Sequence, residues 1–545
     1  MMHQEIKPER SSLFSAPSPP HLPHLPSPTV AAASTPSSSP RRFKRFGGLL
    51  PTTSYRAVLS SVCIMAVLFW VLHLLFFSLL TDLTTGNPLP TSSSPSQPGE
   101  EEKDSSSSSS VADLALQKIL GDGRQIFGTF PSSFNKSAAS KRRAQWMTPL
   151  PDSLPLTRLR AIPGTHDSAT WNFTTETRNS IPSDPSYLPA EWFRCQKKSI
   201  LESLEAGVRF FDLRYAALDA GTGGSGKGGG GGGQGTRLVF WHKMALLSEV
   251  ATVEDVLFGF YSWLEGRGAG EVVMVSLQYE HPTRSHASNT PQVQRLLHSL
   301  LTTPAARRFI YPSHSLPPTL GDARGKIVLL KRFDLPDLPL DQQLAVPGLN
   351  FSPSLWPENN RGFELVYNQL DVGDADQSKG VEMGGKRNET AYIEDYFEPN
   401  DLPSGMNGSV TENVMAKWEA VEGHLRAAAA AGAAASGPGA GLGARGEDDE
   451  DDGLWITFTS GEHVFNEPNI TPEVMALGPE EQRQGVPKVT GGGTVKGGVN
   501  EKLLALLKDD GPDGLKGKRL GVVVMDFWEM EGEGDLIGAL LGLDG

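Results

Sequence analysis

Cysteine is almost absent: Cys63 and Cys195 are the only two in 545 residues. That is too few for a disulfide framework, and their separation makes a bridge between them unexpected. Positive charge is not in excess either. With 49 Lys and Arg against 63 Asp and Glu the formal net charge is −14, which argues against a nucleic-acid-binding surface. Part of that acidity is one run, GEDDEDD from Gly446 to Asp452, expected in a solvated loop. Sequence complexity is low in two glycine- and alanine-rich inserts, 219–236 and 427–453. They are too poor in large apolar residues to order themselves and are expected as surface loops. The first also lacks the Gly-Lys-Ser/Thr ending of a phosphate-cradling loop.

Long apolar runs are missing with one exception. Residues 57–80 contain no Asp, Glu, Lys or Arg. As a helix they would reach about 36 Å, enough to cross the ~30 Å hydrocarbon core with some tilt. A cleavable signal peptide is disfavoured because more than fifty residues precede the run. Arg41, Arg42, Lys44, Arg45 and Arg56 lie before it and Asp82 after it. The positive-inside rule then places residues 1–56 in the cytoplasm and the remainder in a lumen or outside the cell. Sequons at Asn135, Asn172, Asn350, Asn388, Asn407 and Asn469 all follow the span. The expectation is a single-pass, type II membrane glycoprotein. Its order is a Pro/Ser-rich disordered tail (1–55), a signal-anchor helix (57–80), a flexible stalk (81–142) and a catalytic unit (143–545).

The length allows two or three average domains, or one large barrel with insertions. Short apolar, β-favouring runs alternate with amphipathic segments after Lys141. Candidate strands are Leu159–Ile162, Val208–Leu213, Arg237–Trp241, Glu271–Leu277, Lys326–Phe333, Leu454–Thr459 and Arg519–Phe527. Helical patterns between them include Lys198–Ala206, Thr252–Glu265, Gln292–Leu301, Glu412–Ala430 and Asn500–Leu507. This alternation predicts an α/β protein around a parallel sheet.

Polar residues gather at the ends of these strands. His166 and Asp167 follow the first, beyond a Pro-Gly pair expected to turn the chain. Asp212 and Arg214 close the second, and His242 follows the third. Ser276, Gln278 and Glu280 end the fourth, Lys331 and Arg332 the fifth, and Asp526 the last. In a β/α barrel the carboxyl ends of the strands share one face, so these residues could form one site. Two histidines flanked by carboxylates and arginines suit cleavage of a phosphodiester. One takes a proton from the attacking hydroxyl, the other protonates the leaving oxygen, and a guanidinium holds the phosphate.

The segments IPGTHDSATW, SILESLEAGVRFFDLRY, LVFWHKM, EVVMVSLQYE, RGKIVLLKRF, YIEDYF and GVVVMDF together resemble the phosphatidylinositol-specific phospholipase C X-domain family of bacterial type. The resemblance covers roughly residues 145–530. It implies a distorted TIM (β/α) barrel that cleaves phosphatidylinositol-type lipids to diacylglycerol and inositol 1,2-cyclic phosphate. By that resemblance His166 is the general base, held by Asp526, and His242 is the general acid, assisted by Asp167. Arg214 contacts the phosphate and Asp212 supports the site. Arg214 stands where calcium-dependent relatives hold their ion, which implies catalysis without a metal or other cofactor. For the headgroup, Arg332 and Asp395 match sugar-contacting residues. Gln278 stands where a lysine is usual, Phe397 where a tyrosine stacks, and Lys243 where a glycine follows the second histidine.

The implied partners are a membrane and a phosphatidylinositol or glycosyl-phosphatidylinositol lipid in the lumenal or outer leaflet. Two other readings stay open. A glycerophosphodiester phosphodiesterase shares the barrel and histidine pair, but its His-Arg-Gly plus Glu pattern is missing here. A catalytically inactive barrel that binds inositol headgroups or glycans remains the third.

Overall fold

The structure is a computed structural model that describes residues 110–182, 188–218, 235–280, 288–370, 381–382, 389–434, 453–479, 497–529 and 535–543. Its strands begin with β1 (Ala161–Thr165), β2 (Phe210–Leu218), β3 (Arg237–His242), β4 (Ala245–Leu246), β5 (Val272–Tyr279), β6 (Lys326–Arg332) and β7 (Leu349–Asn350). They continue with β8 (Asn360–Val366), β9 (Gln369–Leu370), β10 (Val381–Glu382), β11 (Thr390–Asp395), β12 (Leu454–Phe458) and β13 (Gly521–Met525). The main sheet runs β7-β6-β5-β2-β1-β13-β12-β11-β8. All neighbours in it are parallel except β8, which lies antiparallel on β11.

The sheet curls until its edges almost meet. No ladder joins β7 to β8, but the Asn350 N–H donates to the Tyr367 carbonyl, just past β8, at 2.8 Å. The β1–β2 seam is also thin, with only Gly164 opposite Phe210 and Thr165 opposite Phe211. The predicted α/β barrel is therefore present, in a distorted and nearly closed form.

Strand periodicity of two divides the core into two layers. Ile162, Phe210, Met274, Val328, Leu330, Ile393, Ile456, Val522 and Val524 form one cluster inside the barrel. Their neighbours Phe211, Val273, Val275, Ile327, Leu329, Val523 and Met525 belong to the second cluster, shared with the helices. The interior phase continues along each strand into polar residues: Ile162 to His166, Phe210 to Asp212 and Arg214, Met274 to Ser276 and Gln278, Leu330 to Arg332, Ile393 to Asp395, and Val524 to Asp526. The barrel interior is thus apolar at the strand starts and polar at their carboxyl ends.

Two predicted boundaries are corrected. The stalk assigned to 81–142 is folded in its described part. Ser110 and Asp113 form a capping box on a helix, Val111–Phe127. That helix buries Ile126 and Phe127 in the core, where the Phe127 ring meets Phe260 at 5.2 Å. A Cβ at Gly259 would lie 2.6 Å from the Phe127 ring, so only glycine admits this docking. The second insert does not begin as a loop at 427. The helix Val410–Ala434 runs into it and buries Ala428, Ala429 and Gly432. Alanine has the highest helix propensity, and this face packs on the barrel, so low complexity did not prevent order.

The predicted span 57–80, the tail before it, and 219–234 and 435–452 of the inserts lie outside the described residues. Among the described residues no helix is long and apolar enough to cross a membrane. One sequon is also corrected. Asn350 is buried at 3% exposure and its Nδ2 donates to the Gln369 carbonyl, so the folded chain does not offer it for glycosylation.

Candidate active site

Pro163 and Gly164 do not turn the chain; both lie inside β1. Gly164 is needed for close approach, because a Cβ there would stand 3.0 Å from Phe210 on β2. The turn comes one step later, at Asp167, which adopts a left-handed φ of 41°. Lys243 and Phe527 have φ values of 51° and 42°, so the residue after His166, after His242 and after Asp526 is left-handed in each case. Non-glycine residues adopt this region at a cost. Three such bends at the site's three main supports aim the preceding side chains inward.

His242 arrives by a route the sequence pattern did not suggest. It is the last residue of β3, which returns antiparallel to β2 with Tyr215 opposite Phe240 and Leu218 opposite Arg237. β2 extends past the barrel rim and β3 folds back to the level of Arg214. The second histidine is therefore supplied by a hairpin, not by a barrel strand.

His166 Nδ1 lies 2.9 Å from Asp526 Oδ1, and its Nε2 lies 2.7 Å from Arg214 Nη2. A guanidinium can only donate, so Nε2 carries the lone pair and Nδ1–H donates to Asp526. His242 is held differently: Nδ1–H donates to the Phe193 carbonyl at 2.8 Å, leaving Nε2 3.2 Å from Asp167 Oδ2. The same oxygen lies 3.3 Å from His166 Nε2, and Asp167 Oδ1 is 3.0 Å from Arg214 Nε. The two imidazole centroids are 6.4 Å apart, with the Asp167 carboxylate reaching both rings.

Burial, then the Arg214 and His242 charges, holds His166 well below its usual pKa. Burial and Arg214 push His242 down to about 4. Burial raises Asp167 to about 7, partly offset by Arg214. Burial thus disfavours the charged form of both Asp167 and His242. Burial also disfavours the Arg214 charge, but Asp167, Glu280 and Asp212 outweigh it and raise its pKa.

Asp212 braces this centre from below. It accepts from Ser276 Oγ at 2.9 Å and from the Asp167 N–H at 3.4 Å, and lies 3.5 Å from both Arg214 and Arg332. Register puts Arg214 opposite Gln278 and Gln278 opposite Arg332, a row with a cation at each end and an amide between. The Gln278 Oε1 is buried and has no hydrogen-bond partner among the described residues. Asp395 joins through Trp356, whose Nε1–H donates to Asp395 Oδ2 at 2.9 Å. Phe397 is half-buried beyond the end of β11, and its carbonyl accepts the Glu462 N–H.

No family model matches the chain. A 1-phosphatidylinositol phosphodiesterase of Staphylococcus aureus is 24% identical over 205 residues, 38% of this chain and 56% of that protein. PI-PLC X domain-containing protein 3 of Danio rerio is 39% identical over 90 residues, 13% of this chain and 27% of its own. The chain is similar to phosphatidylinositol-specific phospholipase C X-domain proteins. It spans about half the length of the first bacterial relatives, 56% and 53%. A solved Staphylococcus aureus phosphatidylinositol-specific phospholipase C has a TM-score of 0.47 at 18% identity and covers 74% of this chain and 99% of its own. The Listeria monocytogenes enzyme has a TM-score of 0.39.

The motif resemblance to phosphatidylinositol-specific phospholipase C is thus borne out, while several site contacts of this chain went unread in its motifs. Trp356 is the clearest: the Arg332 guanidinium lies 3.7 Å from its ring centroid, and its only sequence signal is an isolated Leu-Trp-Pro. Gln196 donates to both the His166 and Met525 carbonyls, at 2.7 and 2.8 Å, tying the ends of β1 and β13 together. Glu280 accepts the Lys243 N–H at 2.8 Å, and the Lys243 ammonium pairs with Glu462. Lys243 therefore serves as a strut between the hairpin and the loop after β12.

Proposed function

We propose that the chain is a phosphodiesterase that cleaves phosphatidylinositol-type lipids to diacylglycerol and inositol 1,2-cyclic phosphate. The observation that carries this reading is the unlike state of two neighbouring imidazoles. His166 offers an Nε2 lone pair, fixed by Nδ1–H to Asp526, while His242 donates Nδ1–H to the Phe193 carbonyl and turns Nε2 toward the Asp167 carboxyl at 3.2 Å.

In the reaction His166 Nε2 takes the proton of the inositol 2-hydroxyl as its oxygen attacks phosphorus. The bond from phosphorus to the diacylglycerol oxygen breaks, and His242, assisted by Asp167, delivers a proton to that oxygen. Arg214, seated on His166 Nε2 without substrate, shifts its donors to the phosphate and frees the base. Charge-assisted, bidentate contacts then stabilise the crowded phosphorus where negative charge builds. Arg332, Gln278 and Asp395 meet the sugar hydroxyls, with Phe397 at the rim. The type II arrangement would place this chemistry on the lumenal or outer leaflet, where a glycosyl-phosphatidylinositol is a candidate substrate.

The test uses full-length chain, phosphatidylinositol vesicles and a chelator. Cyclic inositol phosphate should form and fall by about 10²–10⁴-fold in His166→Ala, the range general acid/base catalysis supplies. Headgroup binding without turnover of any inositol lipid would instead identify an inactive binding barrel. Activity that requires added calcium would refute the Arg214 role.

A further inference from the structure

Cys195 is the feature of this centre that the phosphodiesterase chemistry leaves unused. Its side chain is fully buried, and its Sγ makes one weak contact, 3.6 Å from the Phe193 carbonyl. It nevertheless sits among the acid/base residues. One ligand atom each from His166, Cys195 and Asp526 all lie within 4.8 Å of one another, and the same holds for Asp167, Cys195 and His242. A tetrahedral zinc ion with bonds of about 2.0–2.3 Å needs ligands separated by roughly 3.3–3.8 Å, so small side-chain adjustments suffice.

A second observation points to a ligand. Asp526 is 1% exposed, and among the described residues its Oδ2 has no hydrogen-bond partner. A buried carboxylate oxygen without a donor is costly, and a cation would satisfy it. Of the two sets, the one containing His166 has an access route, since that side chain is 13% exposed whereas the other set is buried throughout. His166, Asp167 and Asp212 form a further acidic group, but the Arg214 guanidinium already fills it, 3.0 and 3.5 Å from the two carboxylates.

We propose that Cys195, His166 and Asp526 form a three-ligand site for a soft divalent cation such as zinc, with an open fourth position, and that its occupation switches off the acid/base centre. Thiolate with imidazole selects zinc or cadmium over magnesium or calcium. On binding, the thiol S–H bond breaks, a metal–sulfur bond forms and the proton leaves to solvent; no electron is transferred. The ion also silences His166 by either ring nitrogen. Nδ1 is the nitrogen beside Asp526, 2.9 Å from its Oδ1, and coordination there drives its proton onto Nε2 and displaces the Arg214 contact. Coordination through Nε2 likewise needs Arg214 to move and uses the lone pair itself. Inhibition rests on the function proposed above, whereas binding does not.

Binding is therefore tested without lipid. Full-length chain is titrated with zinc and with cadmium by calorimetry, and the ultraviolet cadmium–thiolate charge-transfer band and proton release are recorded. The expected result is one ion per chain, a charge-transfer band and at least one proton released. In Cys195→Ser the affinity should fall at least as far as loss of an outer-shell partner, about 10–100-fold, and the band should vanish. Asp526→Asn should weaken binding while keeping the band. Thermal unfolding confirms that both variants fold, and Cys195→Ser should turn over lipid normally in chelator. Absence of binding, equal binding of magnesium, or unchanged zinc affinity in Cys195→Ser would each overturn the site. Binding as expected in a chain that cleaves no lipid would leave the site standing and defeat only the phosphodiesterase reading.

Discussion

The ion pair between Arg209 and Glu271 gives the sharpest stability prediction, because neither side chain is exposed at all. Arg209 Nε and Nη2 donate to Glu271 Oε2 at 3.1 and 2.8 Å, and the other guanidinium hydrogens reach the carbonyls of Leu204, Val208 and Ala144. Glu271 also accepts from the N–H groups of Met147 and Thr148 and from the Thr148 hydroxyl. The pair thus pins the segment before β1 to the starting end of β5, remote from the site. Glu271→Ala leaves a buried guanidinium without its counter-charge, a loss of about 3–5 kcal/mol, or a factor of roughly 150–5,000 in the folding equilibrium. Arg209→Met combined with Glu271→Leu removes both charges and keeps an apolar side chain on the Trp263 ring, which the guanidinium now covers at 4.9 Å. The double variant should regain part of the lost stability, because it removes the unpaired charge while the carbonyls of Leu204, Val208 and Ala144 and the N–H groups of Met147 and Thr148 lose these partners. Urea unfolding followed by tryptophan fluorescence measures both, with an unchanged slope as the sign that the same surface is exposed. A loss below about 1 kcal/mol for Glu271→Ala, or a double variant no more stable than the single one, would refute the argument.

Asp526→Asn should lower turnover by about 10³–10⁴-fold with little change in KM, since an amide can hold His166 in the wrong tautomer; this is checked by vesicle kinetics. Arg214→Lys keeps the charge but loses the fork that spans His166 and Asp167, and should cost about 10²–10³-fold in turnover. Stability should also fall with acid. Burial holds His424 at a pKa of about 4, below its unfolded value. As pH drops from about 6.5 to 4.5 the unfolded chain gains a proton that the folded chain refuses, costing about 2–3 kcal/mol. His424→Gln should flatten that slope in urea midpoints compared at pH 7 and 4.5, and an unaltered slope would assign the acid sensitivity to other groups.

Most of the barrel's strands were legible because buried parallel strands read as apolar runs: β2, β5, β6, β12 and β13 overlap their patterns, as does β3 of the antiparallel hairpin. The shorter β7 and the antiparallel β8 were not, since two residues carry no period and Asn360–Gly362 is polar and solvent-facing. The helix Val111–Phe127 was missed because its first two turns are exposed. Only Phe127 and its neighbour, meeting a glycine on another helix, reveal that it docks.

Residue identity and strand-end position were enough to gather Asp212, Arg214, Gln278, Arg332 and Asp526 at one barrel end, whereas His166 needed β1 to run on through Pro163 and Gly164 and Asp395 was named by the resemblance alone. The pairing of those residues was decided only in three dimensions. Which nitrogen of His166 is free depends on Arg214 arriving from another strand. The position of His242 depends on a hairpin that folds back over the rim. The place of Cys195 beside both histidines depends on a loop whose sequence has no metal-ligand spacing. Local pattern sets the direction of a side chain, while proton ownership and ligand geometry arise from distances of about 3 Å that only closure of the barrel creates.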